Sequence, residues 1–207
     1  MDLLKKYKPW EIVVALLPPF FVADRSWHLL HDDYPSALYQ GVSFVMDLAY
    51  CAILLYSFFC MYLGARQSGR FPKLMLLLLI ALAARHLFSF VPQPEYDILN
   101  PSASYIYSGI WALLSLFYMV VMIIAIIRMF KEKLTVLAVT CICMALAIPL
   151  LSTLVYTLMP ISFANQHPLL PMILSQAFFL LMSLCLSVLF LRRNDFYNPT
   201  PDTDYHG

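Results

Sequence analysis

Charge is scarce in this chain: 12% of its 207 residues are Asp, Glu, Lys or Arg, whereas 62% are hydrophobic. A soluble domain carries about twice that share of charge, so an ordinary water-facing surface is excluded and an integral membrane protein is expected. No basic run exceeds two residues and the formal net charge is +1. That excludes the electrostatic footprint of a nucleic-acid binder, and no nucleic-acid partner is expected. Glycine is limited to five residues, none spaced as G-x-x-x-G, which excludes the close helix crossing that motif permits. C-x-x-C, H-E-x-x-H, G-x-S-x-G and the Walker glycine loop are all missing. Thiol exchange, zinc proteolysis, serine hydrolysis and P-loop nucleotide binding therefore lose their simplest signatures, and no catalytic residue is assigned. The five cysteines, Cys51, Cys60, Cys141, Cys143 and Cys185, all fall in apolar stretches. A C-x-C pair in a helix points its sulfurs about 200° apart, so Cys141 and Cys143 read as inert packing residues.

What is present is a set of long apolar runs. A helix crosses the hydrocarbon in about 20 residues, and six stretches qualify, at roughly 10–30, 37–63, 72–92, 103–128, 134–159 and 168–191. The separators "HDDYPS", "PQPEYDILNPS" and "PISFANQHP" are rich in turn formers, while "GARQSGRFPK" and "RMFKEK" are short and basic. The fold class expected is all-α, a polytopic protein with one six-helix transmembrane domain over 1–193. A short polar tail, 194–207, has too little apolar content to fold.

The basic residues give the orientation. Lys5, Lys6, Lys8, Arg66, Arg70, Lys73, Arg128, Lys131, Lys133, Arg192 and Arg193 make eleven of thirteen that alternate onto one side; Arg25 and Arg85 are the exceptions. By the positive-inside rule that side is cytoplasmic, which puts both termini inside and Asp32, Asp33, Glu95 and Asp97 outside. A multi-pass protein of the plasma membrane is expected, with the lipid bilayer as its first partner. The first segment follows lysines, as a secretory leader would, but "FVA" before Asp24 is not a small-x-small cleavage site, so it reads as a retained helix.

That segment also carries Pro18-Pro19, about 12 Å past Trp10, where two missing backbone donors are expected to kink or interrupt the helix. Beyond them, "FFVADRSWHLLHDD" places Asp24, Arg25, His28 and His31 where apolar residues would be normal. In the second segment Gln40, Ser43, Asp47, Tyr50 and Cys51 recur at spacings of three and four and share a helix face. A carboxylate at the depth of Asp47 is costly unless paired or protonated, so it marks a site. Its expected partners are Arg85 and His86 in "AARHLFSF". The plainer alternative is that Arg85 snorkels to the interface while Asp47 bonds locally.

Other segments contribute uncharged polar groups at similar depth: Ser104, Ser108, Trp111, Ser115 and Tyr118 along the fourth, Ser152, Thr153, Tyr156 and Thr157 beyond a kink expected at Pro149, and Ser175 with Gln176 on the sixth. The inner halves of the third to sixth segments read "KLMLLLLIAL", "VVMIIAIIR", "LTVLAVT" and "LMSLCLSVLFL". The asymmetry implies a cup open to the outside over an apolar floor. The ligand-binding set expected is Asp24, Arg25, His28, Gln40, Asp47, Tyr50, Arg85, His86, Trp111, Tyr156 and Gln176. It would take a small solute or lipid-like molecule from the outer side, as a transporter or substrate-capture subunit. Two rivals stand beside it. One is a sensory or accessory subunit meeting a protein partner at its cytoplasmic loops; the other is an intramembrane enzyme with Asp47, Arg85 and His86 as acid, anion clamp and base. His28 and His86 resemble a haem pair, but no second pair and no C-x-x-C-H accompany them, so no cofactor or metal is expected.

Overall fold

The computed structural model describes residues 7–30, 37–92, 94, 102–159 and 169–193, with side chains described for these except residues 25, 27–30, 37–43, 146, 147, 149, 152, 156 and 172. All regular structure among the described residues is helical. In chain order it comprises α1 (Pro9–Leu30), α2 (Ala37–Ser68), α3 (Pro72–Phe88), α4 (Ser102–Lys131), α5 (Thr135–Ile142), a π-helical turn (Cys143–Ala147), α6 (Ile148–Leu158) and α7 (Leu169–Arg192). Among the described residues three helices are long and apolar enough to cross a bilayer: Phe44–Ser68 within α2, Ser102–Lys131 and Leu169–Arg192.

Three local features differ from the sequence expectation. First, α1 runs unbroken through Pro18 and Pro19. Pro19 has no N–H to give the carbonyl of Ala15 four residues earlier, and Ser187 of α7 supplies the missing donor, its Oγ lying 2.5 Å from that oxygen. Second, α2 continues through Gly64-Ala-Arg-Gln-Ser68, because Ala65 is fully buried against the core and packing holds the extra turn. Third, the disturbance expected at Pro149 sits just ahead of it. The proline leaves the Ala145 carbonyl without its usual donor, and the chain takes up a π-helical turn over Cys143–Ala147.

The reversals at the basic end are tight. After α2, Gly69 at φ 70° turns the chain, and Phe71, also left-handed, leads into Pro72 at the start of α3, where a missing N–H costs nothing. After α4, Lys133 adopts φ 61°. Its N–H donates to Phe130 O at 3.1 Å and that of Leu134 to Met129 O at 2.8 Å, the paired bonds of a Schellman closure.

Helices consecutive in the chain pack on one another, and α7 returns to α1, its most extensive partner, while also touching α2, α5 and α6. The result is a closed ring. The α1–α7 seam is antiparallel, pinned by Glu11 with Arg193, Ala15 with Ser187 and Ser26 with Gln176. Arg193 is only 4% exposed. Its Nη2 bonds Glu11, its Nη1 donates to Phe190 O at 2.7 Å, and its guanidinium lies 4.4, 5.6 and 5.8 Å from the rings of Phe190, Tyr56 and Trp10. Glu11 also accepts from the Lys8 N–H at 2.9 Å, the reach-back half of a capping box.

The core occupies the end of the ring that bears this clasp and the basic reversals. Phe58 and Met61 of α2, Met75 and Leu78 of α3, Met122 and Met129 of α4, Leu137 of α5 and Leu186 and Leu189 of α7 are fully buried there. Outward faces are apolar too: Ile80, Leu113, Leu116, Ile124, Ile127 and Leu181 are exposed.

Candidate functional site

Away from that core the ring holds cavities. On α4, Trp111, Ser115 and Tyr118 fall at steps of four and three, so they share a face. That face receives Arg85 from α3. The guanidinium carbon lies 5.4 Å from the Trp111 ring and 5.2 Å from the Tyr118 ring, and Nε donates to Ser115 Oγ at 3.4 Å. Phe88, one turn on from Arg85, stacks on Tyr107 at 5.0 Å and Trp111 at 6.3 Å, extending the aromatic contact between the two helices. The arginine is therefore held in place by π faces and one hydroxyl. Among the described residues no carboxylate lies within ion-pair distance of it.

This corrects the expected direct pair. Asp47 does not bond Arg85; it is exposed on α2, and Arg85 is directed toward α4 instead. The two nonetheless share a cavity of about 270 Å³, bounded by Pro18, Phe21 and Val22 of α1, Asp47 and Tyr50 of α2, Arg85 and His86 of α3, and Gln176, Phe179 and Met182 of α7. A second cavity of about 280 Å³ lies on the α4 side, between Tyr50, Arg85, His86, Ser115, Tyr118, Met144, Thr153 and Met182. A third, wider and shallower at about 540 Å³, joins Asp47, Tyr50 and His86 to Ser89, Pro92 and Tyr107 at the ring's other end. Tyr50 and His86 line all three, so the cavities meet at these side chains.

Of the expected site residues, Asp47, Tyr50, Arg85, His86 and Gln176 converge on these cavities, and Trp111 stands behind Arg85. Gln176 is held through its Oε1, 3.2 Å from the Ser26 hydroxyl, whose nearer acceptor is Val22 O at 2.6 Å. Asp24 is half-buried on α1 and engaged in an interaction of its own. The side chains of Arg25, His28, Gln40 and Tyr156 lie outside the described residues, as do His31 and His167. Among the described residues no three His, Cys, Asp or Glu side chains gather as metal ligands, and the cysteines are free thiols.

Comparison of the chain with protein-family models, with curated proteins and with solved structures finds no match. One side of the cavity that Asp47 and Arg85 share supplies a guanidinium whose Nη donors are not taken by a described carboxylate, another a carboxylate at the rim, and between them lie Phe21, Phe179 and Met182. Sequence reasoning missed Met182, which borders two cavities. Its apolar type is common to core, lipid-facing and cavity positions, and only its placement, three residues beyond Phe179 and six beyond Gln176, could have hinted at it.

Proposed function

We propose that this chain is a polytopic membrane protein with six membrane helices and both termini in the cytoplasm. In this reading it captures a small solute or lipid-like molecule from the outer side of the plasma membrane. The apolar outward faces support the membrane part of the reading, since exposing Leu113, Leu116, Ile124 and Ile127 to water would be unfavourable and burying them in lipid removes the cost. Segregation of eleven Lys and Arg residues onto the two termini and two alternate reversals supports the orientation.

One observation carries the binding part: Arg85, fixed by Trp111, Ser115 and Tyr118, borders a cavity without a described counter-ion. The half-buried guanidinium meets rings and one hydroxyl but no described anion, and an anionic group on a ligand can be that partner. The buried core below makes capture or one half of an alternating-access cycle the fitting role, because a path to the basic end would have to part Phe58, Leu82 and Met122. The test is native mass spectrometry of the purified protein and of Met182→Trp, which fills the space shared by two cavities. Small molecules retained by the wild type and lost from the variant support capture; identical spectra refute it.

A further inference from the structure

We infer that the cavity between α1, α2, α3 and α7 takes a zwitterion with an apolar tail, of the chemical class of a free α-amino acid with an aliphatic or aromatic side chain. This rests on the binding reading above and goes beyond it by naming the ligand's charges.

Two opposite charges share one cavity without neutralising each other. Arg85 is anchored to the far helix, its Nε used on Ser115 and its plane set by Trp111 and Tyr118. Asp47 stands on α2, where the deeper cavity meets the shallower mouth, and forms no ion pair or hydrogen bond with any described residue. A ligand carrying only a carboxylate would meet Arg85 but be repelled by Asp47. One carrying only an ammonium would meet Asp47 but be repelled by Arg85. A molecule carrying both charged groups on one carbon satisfies each wall, and Phe21, Phe179 and Met182 offer apolar lining to its remaining bulk. Volume favours the smaller zwitterions. At about 270 Å³ the cavity holds a single amino acid, whereas the acyl chains of a phospholipid would have to lie outside it. Tyr50 and His86, on the same walls, offer polar hydrogens to the charged end.

The test uses the full chain in lipid nanodiscs, with thermal unfolding read against L-leucine, L-phenylalanine, N-acetyl-L-leucine and L-leucinamide. The free amino acids should raise the unfolding temperature in a saturable way, and blocking either charge should weaken binding by at least about 30-fold. Asp47→Asn should narrow the gap between leucine and N-acetyl-leucine, and Arg85→Gln the gap between leucine and leucinamide. If Arg85→Gln fails to fold, the wild-type series and Asp47→Asn decide alone. N-acetyl-leucine or leucinamide binding as tightly as leucine would overturn the inference. So would an absence of any response when Met182→Trp still strips a co-purifying molecule, and in that case the capture reading stands. No response together with unchanged co-purification would remove both.

Discussion

Replacing Ser187 by Ala removes one hydroxyl from the α1–α7 seam, and the structure says what that hydroxyl is for. Pro19 withholds the donor that the Ala15 carbonyl would otherwise receive, and Ser187 Oγ stands in at 2.5 Å, with Ser183 O at 3.0 Å as its other acceptor. Ala15 is 2% exposed and Ser187 8%, so water cannot replace the lost bond. An unsatisfied buried acceptor costs roughly 1–3 kcal/mol in water-soluble proteins. Polar contacts between membrane helices average nearer 0.6 with a maximum near 1.7 kcal/mol. Ser187→Ala should therefore destabilise by about 1–1.5 kcal/mol. The discriminating perturbation is the same change made in Pro19→Ala, where residue 19 regains an N–H aimed at Ala15. There the cost of Ser187→Ala should fall to a few tenths of a kcal/mol, whatever Pro19→Ala does alone through helix propensity and lost packing, since the cycle subtracts both. Unfolding by denaturing detergent titrated into mixed micelles gives all four free energies. Equal cost in both backgrounds would refute the account and reduce the serine to an ordinary back-bonded hydroxyl.

The clasp at the basic end gives a second cycle. Glu11→Gln leaves the Arg193 charge buried among rings and should cost about 3 kcal/mol, whereas Glu11→Gln with Arg193→Met should cost less than the sum of the singles; additivity in detergent unfolding would count against a coupled pair. Cysteines placed at Asp33, Glu95 and Asn165 in a background free of native cysteine should react with an impermeant thiol reagent from outside the cell, and labelling from the cytoplasm alone would invert the proposed orientation. Deleting residues 194–207 should leave insertion and unfolding temperature unchanged, because the tail has no apolar period with which to bury surface; loss of folding would contradict this.

The sequence by itself determined the class of structure and where the helices run. Apolar length and the scarcity of charge marked the helical segments, and Pro, Asp and Asn marked most of their ends, because these are local properties of the chain. It also placed Trp111, Ser115 and Tyr118 on one face, and brought forward Asp47, Tyr50, Arg85, His86 and Gln176, since a polar side chain in an apolar run is visible without a partner. What only the tertiary structure decided is who meets whom. Arg85 turns toward α4 rather than toward Asp47 because three side chains there offer π faces and a hydroxyl, a preference no spacing within α3 encodes. The donor that stands in for the N–H missing at Pro19 likewise comes from 168 residues away, at Ser187. Apolar residues divide the same way. Phe58, Leu113 and Met182 look alike in sequence, yet one fills the core, one faces outward and one borders a cavity. Hydrophobicity says that a side chain leaves water, and only the arrangement of the helices says what it meets instead.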